Sequence, residues 1–319
     1  MIYLLFYAFA TSFYMLLVRP NFKKSGDINC LTHGKWPIVL ANHRSQMDWF
    51  LIQMIIKLEA GYQRYSFISK PAINSALAIG PIANICGYMF VTSGKSHDVK
   101  EIRTKLKWLK DNNQSCCIGL CPEGILWFAD TLAKSKRWEA ANNLPPYTHC
   151  LQPRTFGLFT LINEMRALGM LSVIIDMTFA CDEFQSCSFR NSVWYGIIHG
   201  PLPRSFNYIL EEHTIDSDVD VTEEYVQSFL TDSFNRKEIA LAAFDSNQAK
   251  KMGVRPVELP VDFHLRNIFT VLLHSIFMIT FCYLIFYYHI ALVSIALLLV
   301  IQVFSINEFL SKLLYYVFL

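Results

Sequence analysis

The chain has 319 residues and is more apolar than an ordinary soluble domain: hydrophobic residues make up 53% of it and the mean hydropathy is positive. Its 28 basic and 26 acidic residues leave a formal charge of only +2. So balanced a charge argues against the clustered basic face that binds nucleic acids, and the apolar composition makes membrane segments the first expectation.

The nine cysteines are an odd number, and none of them forms a CxxC pair. A disulfide framework favours an even count in a small secreted chain, so we expect reduced and mostly buried thiols. The ligand spacings that build a zinc site are missing, so no zinc site is expected.

The first 18 residues carry no charged side chain, and Arg19, Lys23 and Lys24 follow them. This apolar run approaches the ~20 residues that span a bilayer, which predicts a transmembrane helix over 1–18. A cleaved signal peptide is the alternative, but a basic leading region and a small-residue cleavage site are not evident. Basic residues stay on the cytosolic side of a membrane, so the domain that follows is expected in the cytosol.

A second apolar block covers 265–306. Its length suits two short membrane passes or one re-entrant pair of helices. Residues 307–319 are short and apolar, with Glu308 and Lys312 one helical turn apart, which favours an interfacial helix.

The region between these blocks, 27–260, has a more ordinary composition. Short apolar runs alternate with amphipathic stretches, a pattern typical of an α/β fold with a mixed β-sheet flanked by helices. The runs predict strands at 37–41, 87–92, 116–120 and 171–180 and helices at 48–58, 99–110 and 223–235. A polar, acidic loop is expected at 213–224.

The stretch Asn-His-Arg-Ser-Gln-Met-Asp (42–48) lies between a predicted strand and a predicted helix. His43 at a strand end can face a cleft, and Asp48 five residues later can fix its tautomer and stabilise its charged form. His43 could then remove a proton from a substrate hydroxyl. The alternative is a helix-capping Asn42 beside a surface histidine.

The stretch Gly-Leu-Cys-Pro-Glu-Gly-Ile (119–125) also follows a predicted strand. Glu123, between a proline and a glycine, is expected in a tight turn with its carboxylate aimed outward. The alternative is an ordinary carboxylate on a surface loop.

Together the two stretches resemble the glycerophospholipid acyltransferase family, which contains the lysophosphatidate acyltransferases. That family carries an NHxxxxD block and a downstream FPEGT-type block, which appear here as NHRSQMD (42–48) and CPEGI (121–125). The longer match NHRSQMDWF, with LQPRTFG at 151–157, is most similar to the lysocardiolipin acyltransferase branch and its longer-chain lysophosphatidate relatives. The resemblance covers roughly residues 27–260 and implies an acyltransferase domain there.

The resemblance implies a role for each matching residue. His43 is the general base and Asp48 orients it. Glu123 and Gly124 belong to the block that binds the glycerol phosphate region of the acceptor. Pro153 and Arg154 match a further block, in which Arg154 could bind a phosphate.

Two departures from the family pattern concern the acceptor. Ser93 stands where the family usually has a phosphate-binding arginine, and Lys95 is the candidate that could supply the missing charge. Ile125 replaces the usual threonine after Glu-Gly, and Cys121 replaces the usual phenylalanine.

The implied reaction is acyl transfer from acyl-CoA, as co-substrate, to a lysophospholipid hydroxyl, of the 1-acylglycerol-3-phosphate O-acyltransferase type. This reaction requires no metal ion and no bound redox cofactor, so none is expected. Lysophosphatidate or a related anionic lysophospholipid such as lysocardiolipin is the expected acceptor. The expected partners are these substrates and the lipids of the membrane, and the expected location is the endoplasmic reticulum membrane with the catalytic domain in the cytosol. A catalytically weak scaffold or lipid-binding protein is the alternative, and Ser93 and Ile125 are the residues that favour it.

Overall fold

The computed structural model describes most of the chain between residues 11 and 290. The described residues are 11–28, 36–60, 65–74, 80, 83–84, 86–92, 96–112, 116–170, 172–181, 204–215, 219–259, 263–276, 279–280, 283 and 286–290. They fall in two compact units, Met1–Val261 and Asp262–Leu319.

The first unit is built on an eight-stranded mixed sheet. In chain order its strands are β1 (Asn21–Ser25), β2 (Trp36–Ala41), β3 (Tyr65–Ser69), β4 (Met89–Phe90), β5 (Cys117–Leu120), β6 (Ser172–Cys181), β7 (Ser205–Thr214) and β8 (Arg255–Pro256). Their spatial order is β4-β3-β5-β2-β6-β7-β1-β8. The first five of these neighbours are parallel, whereas β7 runs antiparallel to β6, β1 parallel to β7 and β8 antiparallel to β1.

Helices connect the strands. They are α1 (Asp48–Ala60), α2 (Pro71–Asn74), α3 (Ser96–Asp111), α4 (Ala129–Ala141), α5 (Thr155–Ala167) and α6 (Glu223–Asp245), with a 3₁₀ turn at Ala249–Met252. Residues 11–18, ahead of the sheet, are also helical. The predicted mixed sheet flanked by helices is therefore confirmed.

The centre of the sheet is covered on both faces. Ile38 and Leu40 of β2 join a core cluster with apolar side chains of α3, α5 and α6. Val39 points to the opposite face, since side chains alternate along a strand, and it is also 0% exposed. Burial on both faces explains why this parallel strand reads as an unbroken apolar run.

Three predicted strands coincide with observed ones: 37–41 with β2, 116–120 with β5 and 171–180 with β6. The strand predicted at 87–92 is only two residues long, and α6 extends ten residues past the predicted end at 235. In α3 the predicted apolar face, Ile102, Leu106 and Leu109, is buried.

Sequence patterns did not reveal β1, which lies before residue 27, nor β7. β1 reads Asn-Phe-Lys-Lys-Ser, without the apolar alternation of a half-buried strand, and it forms because β7 pairs with it along its whole length. Lys24 of β1 is bound by Glu59 of α1 at 2.7 Å and by Asp27 at 2.9 Å. This lysine is therefore engaged within the domain.

A buried ion pair joins α6 to the sheet. Lys237 is 0% exposed; its ammonium donates to the carbonyl of Met177 at 2.7 Å and lies 2.5 Å from the carboxylate of Asp176 in β6. A buried ammonium needs such a counter-charge and acceptors, so α6 is fixed against the middle of β6.

The second unit is described only in part, with helical turns at 263–276 and 286–290. Across the described ranges we find no helix that combines the length and the apolar character needed to cross a bilayer. Residues 1–10 and 291–319, on which the predicted membrane and interfacial helices largely depend, lie outside the described residues.

Candidate active site

The predicted histidine block forms the turn between β2 and α1, here named the 42–48 turn. It lies at the carboxyl end of β2, a strand flanked by the parallel strands β5 and β6. Ligands of open α/β sheets bind at this edge, because the loops that leave neighbouring parallel strands meet there.

The 42–48 turn brings His43 and Asp48 into contact. Nδ1 of His43 lies 3.0 Å from Oδ2 of Asp48, and the imidazole is 27% exposed while the carboxylate is 1% exposed. The same Oδ2 accepts the backbone N–H groups of Arg44 at 2.6 Å and Ser45 at 2.8 Å. The acceptor role of Asp48 makes Nδ1 of His43 the protonated nitrogen, so the basic lone pair of the ring lies on Nε2.

Asn42 fixes the start of this turn to the neighbouring strand. Its amide N–H donates to the carbonyl of Phe179 in β6 at 2.9 Å, and its amide oxygen accepts the backbone N–H of Phe179 at 2.9 Å. The alternative in which Asn42 serves as a helix cap is therefore wrong, because both ends of the amide are used by β6.

The second predicted block touches the first. The thiol of Cys121 lies 3.9 Å from the carbonyl oxygen of Asn42, and the backbone N–H of Trp127 donates to the carbonyl of His43 at 3.0 Å. Gly124 closes the turn with φ +71°, a conformation that favours glycine, and its N–H donates to the carbonyl of Cys121. The two blocks thus form one site.

Glu123 points into the protein. Its side chain is buried at 1% exposure, and Oε1 accepts the backbone N–H of Leu151 at 3.2 Å. The expectation of an outward carboxylate, on a surface loop or otherwise, is therefore wrong, because the turn places this side chain between the two blocks and the segment that begins at Leu151. Burial raises the pKa of Glu123 to about 7, an effect that the nearby His43 and the Leu151 N–H partly oppose.

Arg154 lies beside this turn with an exposed side chain. Its backbone N–H donates to the carbonyl of Pro122 at 2.9 Å. A Cβ placed on Gly124 would lie 3.8 Å from Cδ and Nε of Arg154, so the arginine passes directly over the glycine. Lys70, just after β3, lies near enough that partial burial and the charge of Arg154 both lower its pKa.

Two cations as close as Lys70 and Arg154 favour an anionic ligand near them. The sequence resemblance implied this role for Arg154 but did not single out Lys70. The predicted contributor Lys95, like Ser93, lies outside the described residues.

A cluster of possible metal ligands lies elsewhere, where Asp176, Glu211 and His213 approach one another. Lys237 binds the carboxylate of Asp176, and the guanidinium of Arg236 lies 2.9 Å from the carboxylate of Glu211. These cations already neutralise the carboxylates, so the cluster does not fit a divalent metal ion.

The described cysteines form no disulfide with one another. Five of the six are buried. Burial raises the pKa of the Cys121 and Cys150 thiols well above the usual value, which does not favour a thiolate nucleophile at this site.

Comparison with protein families matches residues 25–174 to an acyltransferase family model. Among curated proteins, lysocardiolipin acyltransferase 1 of Gallus gallus is 23% identical over 66% of this chain and 54% of its own length. Lysophosphatidylinositol acyltransferase 10 of Caenorhabditis elegans is 25% identical, over 76% of this chain and 61% of its own. A probable 1-acyl-sn-glycerol-3-phosphate acyltransferase 5 of Arabidopsis thaliana is 22% identical, over 66% and 54%.

The chain therefore spans little more than half the length of these relatives. Among solved structures, the 1-acyl-sn-glycerophosphate acyltransferase PlsC of Thermotoga maritima is 15% identical, covering 75% of this chain and 80% of its own, with a TM-score of 0.44.

The buried carboxyl group of Glu123 makes stability depend on pH. Its pKa rises from 4.5 to about 7 on folding, so the folded protein retains a proton that the unfolded chain releases. This group therefore stabilises the fold below its unfolded pKa, and the contribution, about 3 kcal/mol, is lost as the pH rises through 7. We expect unfolding by urea to show a fall in stability of this order between about pH 5 and about pH 8 that is absent from the isosteric variant Glu123→Gln. Parallel pH profiles of the two proteins would contradict this prediction.

The matched range of the family model contains both sequence blocks, and the structure joins these blocks at one edge of the sheet. The curated relatives share the same type of name, although they differ in the lysophospholipid that the name contains. Over residues 25–174, which contain both blocks, the chain is therefore similar to acyltransferases.

Proposed function

We propose that this protein transfers a fatty acyl group from acyl-CoA to a hydroxyl of a lysophospholipid, with His43 as general base. The observation that carries the proposal is the fixed contact between His43 and Asp48 in a partly exposed turn. Three donors converge on one oxygen of Asp48, so the carboxylate holds its orientation and in turn holds the imidazole.

In the proposed reaction, the acceptor hydroxyl approaches Nε2 of His43. The imidazole removes the hydroxyl proton as the oxygen attacks the thioester carbonyl carbon. The tetrahedral intermediate collapses with cleavage of the carbon–sulfur bond, and the proton held by His43 neutralises the departing CoA thiolate. Asp48 stabilises the imidazolium during these steps without taking the proton itself.

The acceptor is proposed to be an anionic lysophospholipid, such as lysophosphatidate or lysocardiolipin. Arg154 and Lys70 place positive charge beside Gly124, and Arg154 can bind a phosphate with two parallel N–H donors. Glu123 would then contribute indirectly, because its carboxyl group accepts the backbone N–H of Leu151 and so holds the segment that leads to Arg154. Lys95 remains a predicted contributor to the same charge.

The site is proposed to face the cytosol at the membrane of the endoplasmic reticulum. The support is the basic group Arg19, Lys23 and Lys24 after an uncharged stretch, and the cytosolic pool of acyl-CoA. At an interface, the fatty chains of both substrates can stay in lipid while their charged parts stay in water.

The general-base role predicts a large loss on removal of the imidazole. We expect His43→Ala to lower the rate of acyl transfer by ~10²–10⁴-fold, and Asp48→Asn to be severe as well, because the imidazole loses its charge partner. Steady-state assays with acyl-CoA and a panel of lysophospholipids measure this. His213→Ala is the matched control, since His213 also lies near a carboxylate but pairs with Ile174, away from the carboxyl end of β6. Turnover of His43→Ala close to that of the control would remove His43 from the mechanism.

The phosphate-binding role of Arg154 predicts a change in KM. A hydrogen bond to a charged group contributes about 1.5–3 kcal/mol, so Arg154→Ala should raise the KM for lysophosphatidate by ~10–100-fold with little change in kcat. Arg154→Lys should recover part of the affinity. Arg103→Ala serves as the control, because Arg103 is an exposed arginine paired with Glu164 on α5. Equal KM values for all three variants would refute the assignment.

The topology has an internal test in Asn113-Gln114-Ser115, the chain's single N-glycosylation sequon, which lies outside the described residues. A cytosolic domain never meets the glycosylation machinery, so we expect Asn113 to be unmodified in cells. Mass spectrometry of the cellular protein before and after N-glycosidase treatment provides the measurement. A glycan at this site would place the domain in the lumen and exclude the proposed route for acyl-CoA.

A further inference from the structure

A side chain of the 42–48 turn that the sequence reasoning did not single out, Arg44, is held from two directions. Its guanidinium donates to both carboxylate oxygens of Asp245, at 2.9 and 3.0 Å, and lies 4.2 Å from the ring centre of Trp127. The arginine side chain is only 4% exposed. A buried bidentate pair of this kind fixes direction as well as distance, because both partners are planar.

The backbone of Arg44 also contacts the pair formed by His43 and Asp48, here named the dyad. The same residue whose side chain binds Asp245 donates its backbone N–H to Oδ2 of Asp48 at 2.6 Å. The position of the Arg44 backbone therefore determines the position of one of the N–H donors to Asp48. Asp48 in turn holds the imidazole of His43.

Asp245 reaches a second part of the site as well. It is the last residue of α6, and its carboxylate accepts from Nδ1 of His149 at 2.6 Å. Burial acts to raise the pKa of Asp245, but the hydrogen bonds from His149 and Arg44 outweigh it, so the pKa is lowered and the carboxylate stays charged. One carboxylate thus joins the 42–48 turn to the segment around His149.

That segment leads directly to the acceptor side. The backbone N–H groups of Thr148, His149 and Cys150 all donate to Glu238, which also belongs to α6. Seven residues, or two helical turns, separate Glu238 from Asp245, so the two carboxylates share one face of the helix. The carboxyl-terminal part of α6 therefore supports both halves of the site.

We propose that Asp245 is a positioning residue for the transfer reaction. It acts through Arg44 on the geometry of His43 and Asp48, and through His149 on the segment that ends at Arg154. This inference rests on the proposed function and adds to it a residue some 200 positions from the histidine block.

The test compares Asp245→Asn with the wild-type chain in transfer assays on the purified full-length protein. Asparagine keeps the size of the side chain but loses the charge that holds the guanidinium. A displacement of the dyad should lower kcat by roughly 10–100-fold while the KM for acyl-CoA changes less than about twofold. Asp245→Glu, which retains the charge, should recover part of kcat.

A double-mutant cycle separates positioning from mere loss of folded protein. If Asp245 acts through the dyad, adding Asp245→Asn to Asp48→Asn should cost less than about threefold, because Asp48 no longer transmits the effect. If the substitution only reduces the folded fraction, its full cost should appear in both backgrounds, and that result would overturn the inference. Glu164→Gln is the matched control, because it breaks a bidentate pair with Arg103 that has no contact with the 42–48 turn.

A milder variant covers the case in which Asp245→Asn does not fold. His149→Gln leaves the pair between Arg44 and Asp245 in place and loosens the segment that ends at Arg154, so it should raise the KM for lysophosphatidate by roughly tenfold. An unchanged KM in this folded variant would overturn the inference. A wild-type protein that transfers no acyl group would overturn the proposed function together with it, whereas an active wild type with unaffected Asp245→Asn or His149→Gln overturns this inference alone.

Discussion

The site depends on one buried oxygen atom. Oδ2 of Asp48 accepts from the imidazole of His43 and from two backbone N–H groups of its own turn. A carboxylate that is buried must be compensated by donors, and here the donors are the turn itself. The conformation of the turn and the orientation of the histidine therefore depend on the same carboxylate oxygen. Neither can change without leaving a buried charge with fewer donors.

The rest of the domain holds that turn in place from several sides. Asn42 ties it to β6, Trp127 ties it to the second sequence block, and Asp245 ties it to α6. Each of these ties joins residues that are far apart in the sequence but meet at one edge of the sheet. Rigid support of this kind is what keeps a catalytic pair within the narrow range of distances that proton transfer needs.

Sequence reasoning succeeded where chemistry and local pattern agree. The unbroken apolar run of β2 and the amphipathic face of α3 predicted their structures, and the spacing of His43 and Asp48 anticipated their contact. It failed where residues distant in the sequence determine the local structure. β1 becomes a strand only through β7, and the orientation of Glu123 is set by Leu151, with which it shares no local pattern. No spacing rule could connect Arg44 with Asp245.

The order of the strands in space has a consequence for the folding of the chain during synthesis. Of the strands in the described residues, β1 leaves the ribosome before the others, yet its neighbours in the sheet are β7 and β8. Domains are synthesised from the amino terminus at about 5–20 residues per second, so β1 has no partner for on the order of ten seconds or more. During that interval a polar strand such as Asn21–Ser25 exposes little apolar surface to aggregation. The two lysines that prevented the prediction of β1 from the sequence thus keep the strand polar until β7 and β8 have been synthesised.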